Sequence, residues 1–205
     1  MAGCEELVES GGAEEMPRVV AALAGILERV AERNDAAELS AVAASAFRTT
    51  TKPGISVRAY MARIARFAGC SPACYVVAHV YLDRLLRRGR RLALAVDSYS
   101  VHRLLITAVL AAVKFMDDIC YNNAYFAKVG GISLAEMNYL EVDFLFGVGF
   151  DLNVAPETFA DYCAVLQSEL LCAEAPPPPP LRLQHCCLSD DDAGAGCSAQ
   201  QQLAA

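Results

Sequence analysis

The sequence predicts an all-α protein: about five helices bundled around one buried central helix, with an extra helix before the bundle and another after it. Three observations carry this. Apolar residues recur at helical spacing in one segment after another. No stretch alternates apolar and polar residues as a strand would. One run, Leu104 to Val113, is apolar on every side except for Thr107, as a helix surrounded by others must be. The chain of 205 residues is 55% hydrophobic and 20% charged, which suffices for one core and excludes disorder as a description of the whole.

Taken in order, residues 1–16 are rich in Glu and Gly and read as a disordered N-terminus. Pro17 suits the start of a helix, and Val20, Leu23, Ile26, Leu27 and Val30 follow on one face until Asn34-Asp35 stops it. A long connection with a weak helical pattern near Leu39 to Phe47 ends at Pro53-Gly54. A helix over 56–68 carries Val57, Tyr60, Met61, Ile64 and Phe67. Ser71-Pro72 opens the next, which runs to about Arg88 and ends in arginines that suit the helix dipole. Asp97 or Ser98 caps the central helix, which ends near Met116. A short helix over 122–129 stops at Gly130-Gly131. Ser133 and Glu136 then form a capping box, with Ile132 and Met137 placed as its hydrophobic staple, opening a helix that bears Leu140, Phe144, Leu145 and Val148. Pro156 starts a last helix through Phe159, Tyr162, Val165, Leu166 and Leu170. Pro176 to Pro180 forbids helix, so 172–205 reads as a Pro-rich disordered tail and 17–171 as the folded domain.

Composition removes several functions. A net charge of −7 disfavours nucleic acid as a partner, and Arg87, Arg88, Arg90 and Arg91 read as a solvated helix end and loop before they read as an import signal or phosphate contact. Arg91-Leu92-Ala93-Leu94 contains a minimal Arg-x-x-Leu degradation pattern that is common by chance. Leu104 to Val113 is about half the ~20 residues a membrane span needs. Nine Cys at irregular spacing, with an acidic N-terminus in place of a leader, point to free thiols in an intracellular setting, nucleus or cytoplasm. Cys70, Cys74 and His79 lack zinc-knuckle spacing, His185-Cys186-Cys187 lies in the tail, and Asp117-Asp118 reads as a surface turn, so no metal is expected. No phosphate-binding Gly loop and no nucleophile–base arrangement is recognisable, so neither an enzyme, nor a cofactor, nor a small-molecule substrate is expected.

The motifs go further. Tyr81-Leu82-Asp83-Arg84, Lys114-Phe115, Asn138 to Glu141 with Leu145, and Phe150-Asp151-Leu152 stand in an order that resembles the cyclin box. Between them, the run from His102 through Asn123, Ala124, Tyr125, Gly130, Gly131 and Ile132 is similar to the yeast phosphate-pathway-type cyclins, and closer to the plant P-type (also called U-type) cyclins. The resemblance covers about Pro17 to Leu171.

It implies a regulatory subunit that binds and activates a cyclin-dependent serine/threonine protein kinase in cell-cycle or nutrient-linked control. The kinase-binding residues it implies are Lys114 and Glu141, with Phe115, Leu145, Phe150 and Leu152 filling the apolar gap. By themselves Lys114 would be a dipole-matched cation and Glu141 a solvated helix residue. Glu141 and Leu145, four apart, do share a face, and a charge beside an apolar patch is how an interface centre is built. The resemblance also implies a buried ion pair of Asp83 with Arg63, Arg58 being the alternative, whose loss through Asp83→Ala would cost about 3–5 kcal/mol. The substrate-docking patch of many cell-cycle cyclins is replaced by Ala59-Tyr60-Met61-Ala62-Arg63-Ile64, and a second box is absent. A non-activating cyclin-box adaptor in a transcription or signalling complex is the alternative function.

Overall fold

In the computed structural model, residues 16–37, 45–89, 94–118 and 122–174 are described, and all regular structure among them is helical. The helices are α1 (Arg18–Ala36), α2 (Val57–Ala68), α3 (Pro72–Gly89), α4 (Val101–Met116), α5 (Asn123–Gly130), α6 (Leu134–Gly147) and α7 (Pro156–Glu174). The expectations for residues 1–15, most of the Leu39 to Phe47 pattern, and the tail beyond Glu174 lie outside the described residues.

The central helix is α4. Its residues Leu104 to Val113 are all buried, and it packs on α3, α6, α5 and α2. Thr107 is tolerated there because its hydroxyl donates to the Arg103 carbonyl one turn back, at 2.7 Å. α1 lies on α2, α7 and α3, its apolar face contributing Val19, Val20, Leu23 and Leu27 to the core. α7 packs on α1 and α3 and runs a little past Leu171, where the domain was expected to end.

The caps explain the boundaries. Ser56, Asn122 and Ser133 each accept a hydrogen bond from the backbone N–H three residues on. Gly69 and Gly131 take the left-handed conformation that ends α2 and α5. Three expectations need correction. α4 begins at Val101, not at Asp97 or Ser98. The buried Asp97 carboxylate instead accepts from the N–H of Tyr99 (2.8 Å) and Ser100 (2.9 Å) and pairs with Arg48, so it builds the turn that feeds the helix. The capping box is half made: Ser133 caps, but Glu136 turns to Arg103 on α4, a stronger partner than a backbone N–H. Asn34 and Asp35, expected to stop α1, lie in its last turn and tie it to Val96 and Ser98.

Candidate functional site

The end of α4 and the start of α5 converge on one carboxylate in the middle of α6. Lys114, in the last turn of α4, places Nζ 2.6 Å from Oε1 of Glu141 on α6. Asn123, the first residue of α5, donates from Nδ2 to Glu141 Oε2 at 2.7 Å and to Asn138 Oδ1 at 2.8 Å. Each local sequence feature serves this. The apolar run ends at Lys114 and lets α4 surface there, Asn122 caps α5 so that Asn123 is in place, and Ser133 fixes the phase of α6. The side chains of Lys114 and Glu141 are 35% and 15% exposed, so the pair sits at the solvent boundary with Lys114 reachable from outside.

Apolar residues follow both members of the pair along the chain. Phe115 and Phe150 are about half exposed, while Leu145 and Leu152 are half-buried. Sequence reasoning missed further apolar groups: Met116 beside Phe115, and Tyr139, Val142 and Phe146 along α6, all largely exposed. Spacings of three and four put these last three on one outer face of α6, next to Glu141 and Leu145. Asn123 was also missed as a site residue, although Asn138 and Glu141, three apart on one helix face, signalled a polar patch that needed a donor.

The exit of α6 is fixed with care. Gly149 N–H bonds the Phe146 carbonyl and Phe150 N–H the Leu145 carbonyl, the two bonds of a Schellman turn. Gly149 has φ +65°, and Phe150 follows at φ +54°, a left-handed conformation rare outside glycine. The Phe150 ring meets that of Phe146 edge-on at 5.1 Å. Two motif residues of α3 clamp the segment: Tyr81 donates to the Leu152 carbonyl at 2.6 Å and Arg84 to the Asp151 carbonyl at 2.7 Å. Burial pushes the Tyr81 hydroxyl up to about 12, so it stays a donor. A Cβ at Gly147 would run into Leu85, so glycine there permits the close approach of α6 to α3.

The expected Asp83–Arg63 pair is not formed. Asp83 faces α7, where it accepts a hydrogen bond from the Tyr162 hydroxyl, and it pairs with Arg87 one turn on at 2.7 Å. Arg63 donates to the Lys128 carbonyl at 3.1 Å, and Arg58 pairs with Glu28 at 2.8 Å. Asp83 is a third exposed, whereas the deeply buried carboxylate is that of Asp97. The motif acts instead through Tyr81 and Arg84, which hold the 150–152 segment.

Among the described residues no group of three His, Cys, Asp or Glu could hold a metal. The His79 ring packs edge-on against Tyr162 at 5.0 Å, turned toward α7. Asp117 is half-buried and Asp118 exposed at the end of α4. Arg88 joins Arg84 on Asp151, so the described part of the basic cluster is engaged internally. Arg90 and Arg91 to Ala93 lie outside the described residues, as does His185-Cys186-Cys187. No helix among the described residues is long and apolar enough to cross a membrane.

Comparison with known proteins gives a concordant picture. A cyclin family model matches residues 17–152, that is α1 through the exit of α6. The chain is 68% identical over 170 residues to Cyclin-P4-1 of Oryza sativa subsp. japonica, covering 80% of this chain and 79% of the relative. It is 53% identical over 164 residues to Cyclin-U4-2 of Arabidopsis thaliana (78% and 74%) and 38% identical over 166 residues to Cyclin-U1-1 of the same plant (79% and 78%).

Proposed function

The chain belongs to the cyclin family, whose members regulate rather than catalyse, and from that premise we propose that it binds a cyclin-dependent serine/threonine protein kinase and holds it in its active state. The observation that carries this is the Lys114–Glu141 pair, propped by Asn123, with Lys114 followed by the exposed ring of Phe115. A lysine ammonium has three donors and a carboxylate about four acceptor positions. Lys114 and Glu141 can therefore keep each other and still offer bonds to the backbone of a docking segment.

Desolvation of Phe115, Leu145, Phe150 and Leu152 supplies the apolar centre of the interface, and the polar pair sets its register. Activation then needs no chemistry from this chain. Binding the active position of a mobile kinase helix more tightly than the inactive one shifts the population toward activity. On this reading the complex works in the nucleus or cytoplasm, in cell-division or nutrient-linked control. The test is binding of the full chain to a panel of purified cyclin-dependent kinases by titration calorimetry, with substrate phosphorylation measured on each complex. Saturable binding with a rise in phosphorylation supports the proposal. Binding without any rise favours a non-activating adaptor, and a folded chain that binds no kinase in the panel overturns it.

A further inference from the structure

α2 is charged in one sense only. Its 12 residues hold Arg58, Arg63 and Arg66 and no carboxylate, in a chain whose net charge is −7. Arg58 is neutralised by Glu28 of α1. Arg63 and Arg66 are exposed, one turn apart on the same face, and neither meets a carboxylate among the described residues. α5 adds a third cation. Lys128 is exposed in its last turn and also has no carboxylate partner among the described residues. Its carbonyl accepts a hydrogen bond from Arg63 Nη2 at 3.1 Å, which brings the two residues together. Tyr125 of α5 ties the helices further, its hydroxyl donating to the Phe67 carbonyl at 2.8 Å. The Phe67 ring is 46% exposed, and the Arg66 guanidinium lies 5.5 Å from its centre.

We propose that this α2–α5 face docks a peptide phosphorylated on serine or threonine, with Arg63, Arg66 and Lys128 holding the phosphate and the Phe67 ring covering an apolar residue beside it. Like charges one turn apart repel, and an anion bound among them turns that repulsion into attraction. Phosphate fits three cations better than a carboxylate does. A phosphate monoester carries about −1.5 to −2 charges near neutral pH and three strong acceptor oxygens, against a single charge on two oxygens. A guanidinium fork bonds two phosphate oxygens at once, and a lysine beside it acts as a point charge. Arg63 is held in advance, because one of its N–H donors is spent on the Lys128 carbonyl while the others keep no protein acceptor among the described residues. The exposed ring favours a peptide over free phosphate, which would leave Phe67 uncovered. The net charge of −7 works against an extended polyanion such as nucleic acid, whereas a single phosphate meets only the local field.

The restriction to serine and threonine rests on the reading of the chain as regulator of a serine/threonine kinase, whose products carry phosphate on those residues. The anion site itself does not rest on it. Lys128 lies five residues beyond Asn123, about 7.5 Å along α5 at 1.5 Å per residue, so the two surfaces share that helix without sharing a residue.

The test measures binding by the full chain alone, with no kinase present, so its outcome is separate from that of kinase docking. The probe is a fluorescein-labelled degenerate peptide library with a fixed central phosphoserine flanked by apolar positions. Anisotropy titration compares it with libraries that carry serine or glutamate at the centre. The phosphoserine library should bind about tenfold or more tightly than either, and its binding should weaken as salt is raised. The Arg66→Gln, Lys128→Gln double variant should lose about tenfold or more of that affinity at unchanged helical content, since both side chains are exposed and the bond from Arg63 to the Lys128 carbonyl is kept. Arg87→Ala, which removes an exposed cation near the end of α3, should bind like the wild type. Equal binding of the phosphoserine and serine libraries overturns the proposal, as does binding that the double variant leaves unchanged. Equal binding of the glutamate library also overturns it, by making the face a general acidic-peptide surface, and so does sedimentation with phosphatidylserine vesicles without any phosphopeptide binding. The comparison of the three libraries on the wild-type chain decides the matter even if the variant fails to fold.

Discussion

Phe150 allows docking to be separated from stability. Its side chain is 58% exposed, and its φ of +54° is a conformation that costs an L-residue about 1–2 kcal/mol relative to glycine. Phe150→Ala removes the ring and its edge contact with Phe146, about 1 kcal/mol, and leaves the strain in place. Phe150→Gly removes the ring and the strain together, while the freer unfolded chain takes back about 0.5 kcal/mol. The glycine variant should therefore be the more stable of the two by about 1 kcal/mol, a difference of about 3 °C in Tm for a domain of this size. Both variants lose the same aromatic group from the proposed interface. If that ring fills a desolvated pocket, both should weaken kinase binding by about 30-fold, the equivalent of about 2 kcal/mol. Thermal unfolding and calorimetric titration measure the two effects independently. A glycine variant that melts below the alanine variant would refute the backbone argument. Two variants that bind like the wild type would remove Phe150 from the interface.

Other predictions follow from the same geometry. Asp97→Ala removes the buried carboxylate that holds the half-buried Arg48 and two backbone N–H groups and should cost about 3 kcal/mol, read by urea unfolding, whereas Asp83→Ala, with its solvent-facing Arg87 partner, should cost about 1 kcal/mol or less. Burial lowers both His79 and His102 below the ordinary value of 6.5, so the unfolded chain binds protons more readily. The stability this represents is present above pH 6.5 and is lost as pH falls below it. The Tm of the wild type should drop between pH 7 and 5, and the His79→Gln, His102→Gln double variant should show a shallower drop. Asn123→Ala should weaken kinase binding by less than Glu141→Ala does, and adding it to Glu141→Ala should have little further effect, because Asn123 acts through that carboxylate; an additive double-mutant cycle would contradict this.

What was legible in the sequence was local or periodic. α4 announced itself because Leu104 to Val113 has no polar face to turn outward, and Ser56, Asn122 and Ser133 announced their helices because a cap needs one side chain and one N–H three residues away. What depended on packing was not legible. Asp83 could point to α2 or to α7, and nothing nearby in sequence decides between them; the position of Tyr162 does. Glu136 had a partner at hand in the backbone yet took Arg103, which only the crossing of α4 and α6 makes available. The outer face of α6 stayed hidden because the helix is apolar on several sides, so no polar stripe sets Tyr139, Val142 and Phe146 apart from the core-facing residues. Lys114 and Glu141 are 27 residues apart, and no periodicity links them; resemblance to the cyclin box singled them out, and the geometry brings them to 2.6 Å.

The central claim is that this pair governs activation of a kinase, and the most direct measurement is phosphorylation of a generic substrate by a purified cyclin-dependent kinase titrated with wild-type chain and with the Lys114→Ala, Glu141→Ala double variant. The pair is near the surface and its loss should change Tm by no more than a few degrees. The account predicts saturable activation by the wild type and little or none by a double variant of unchanged helical content. Equal activation by both would contradict it.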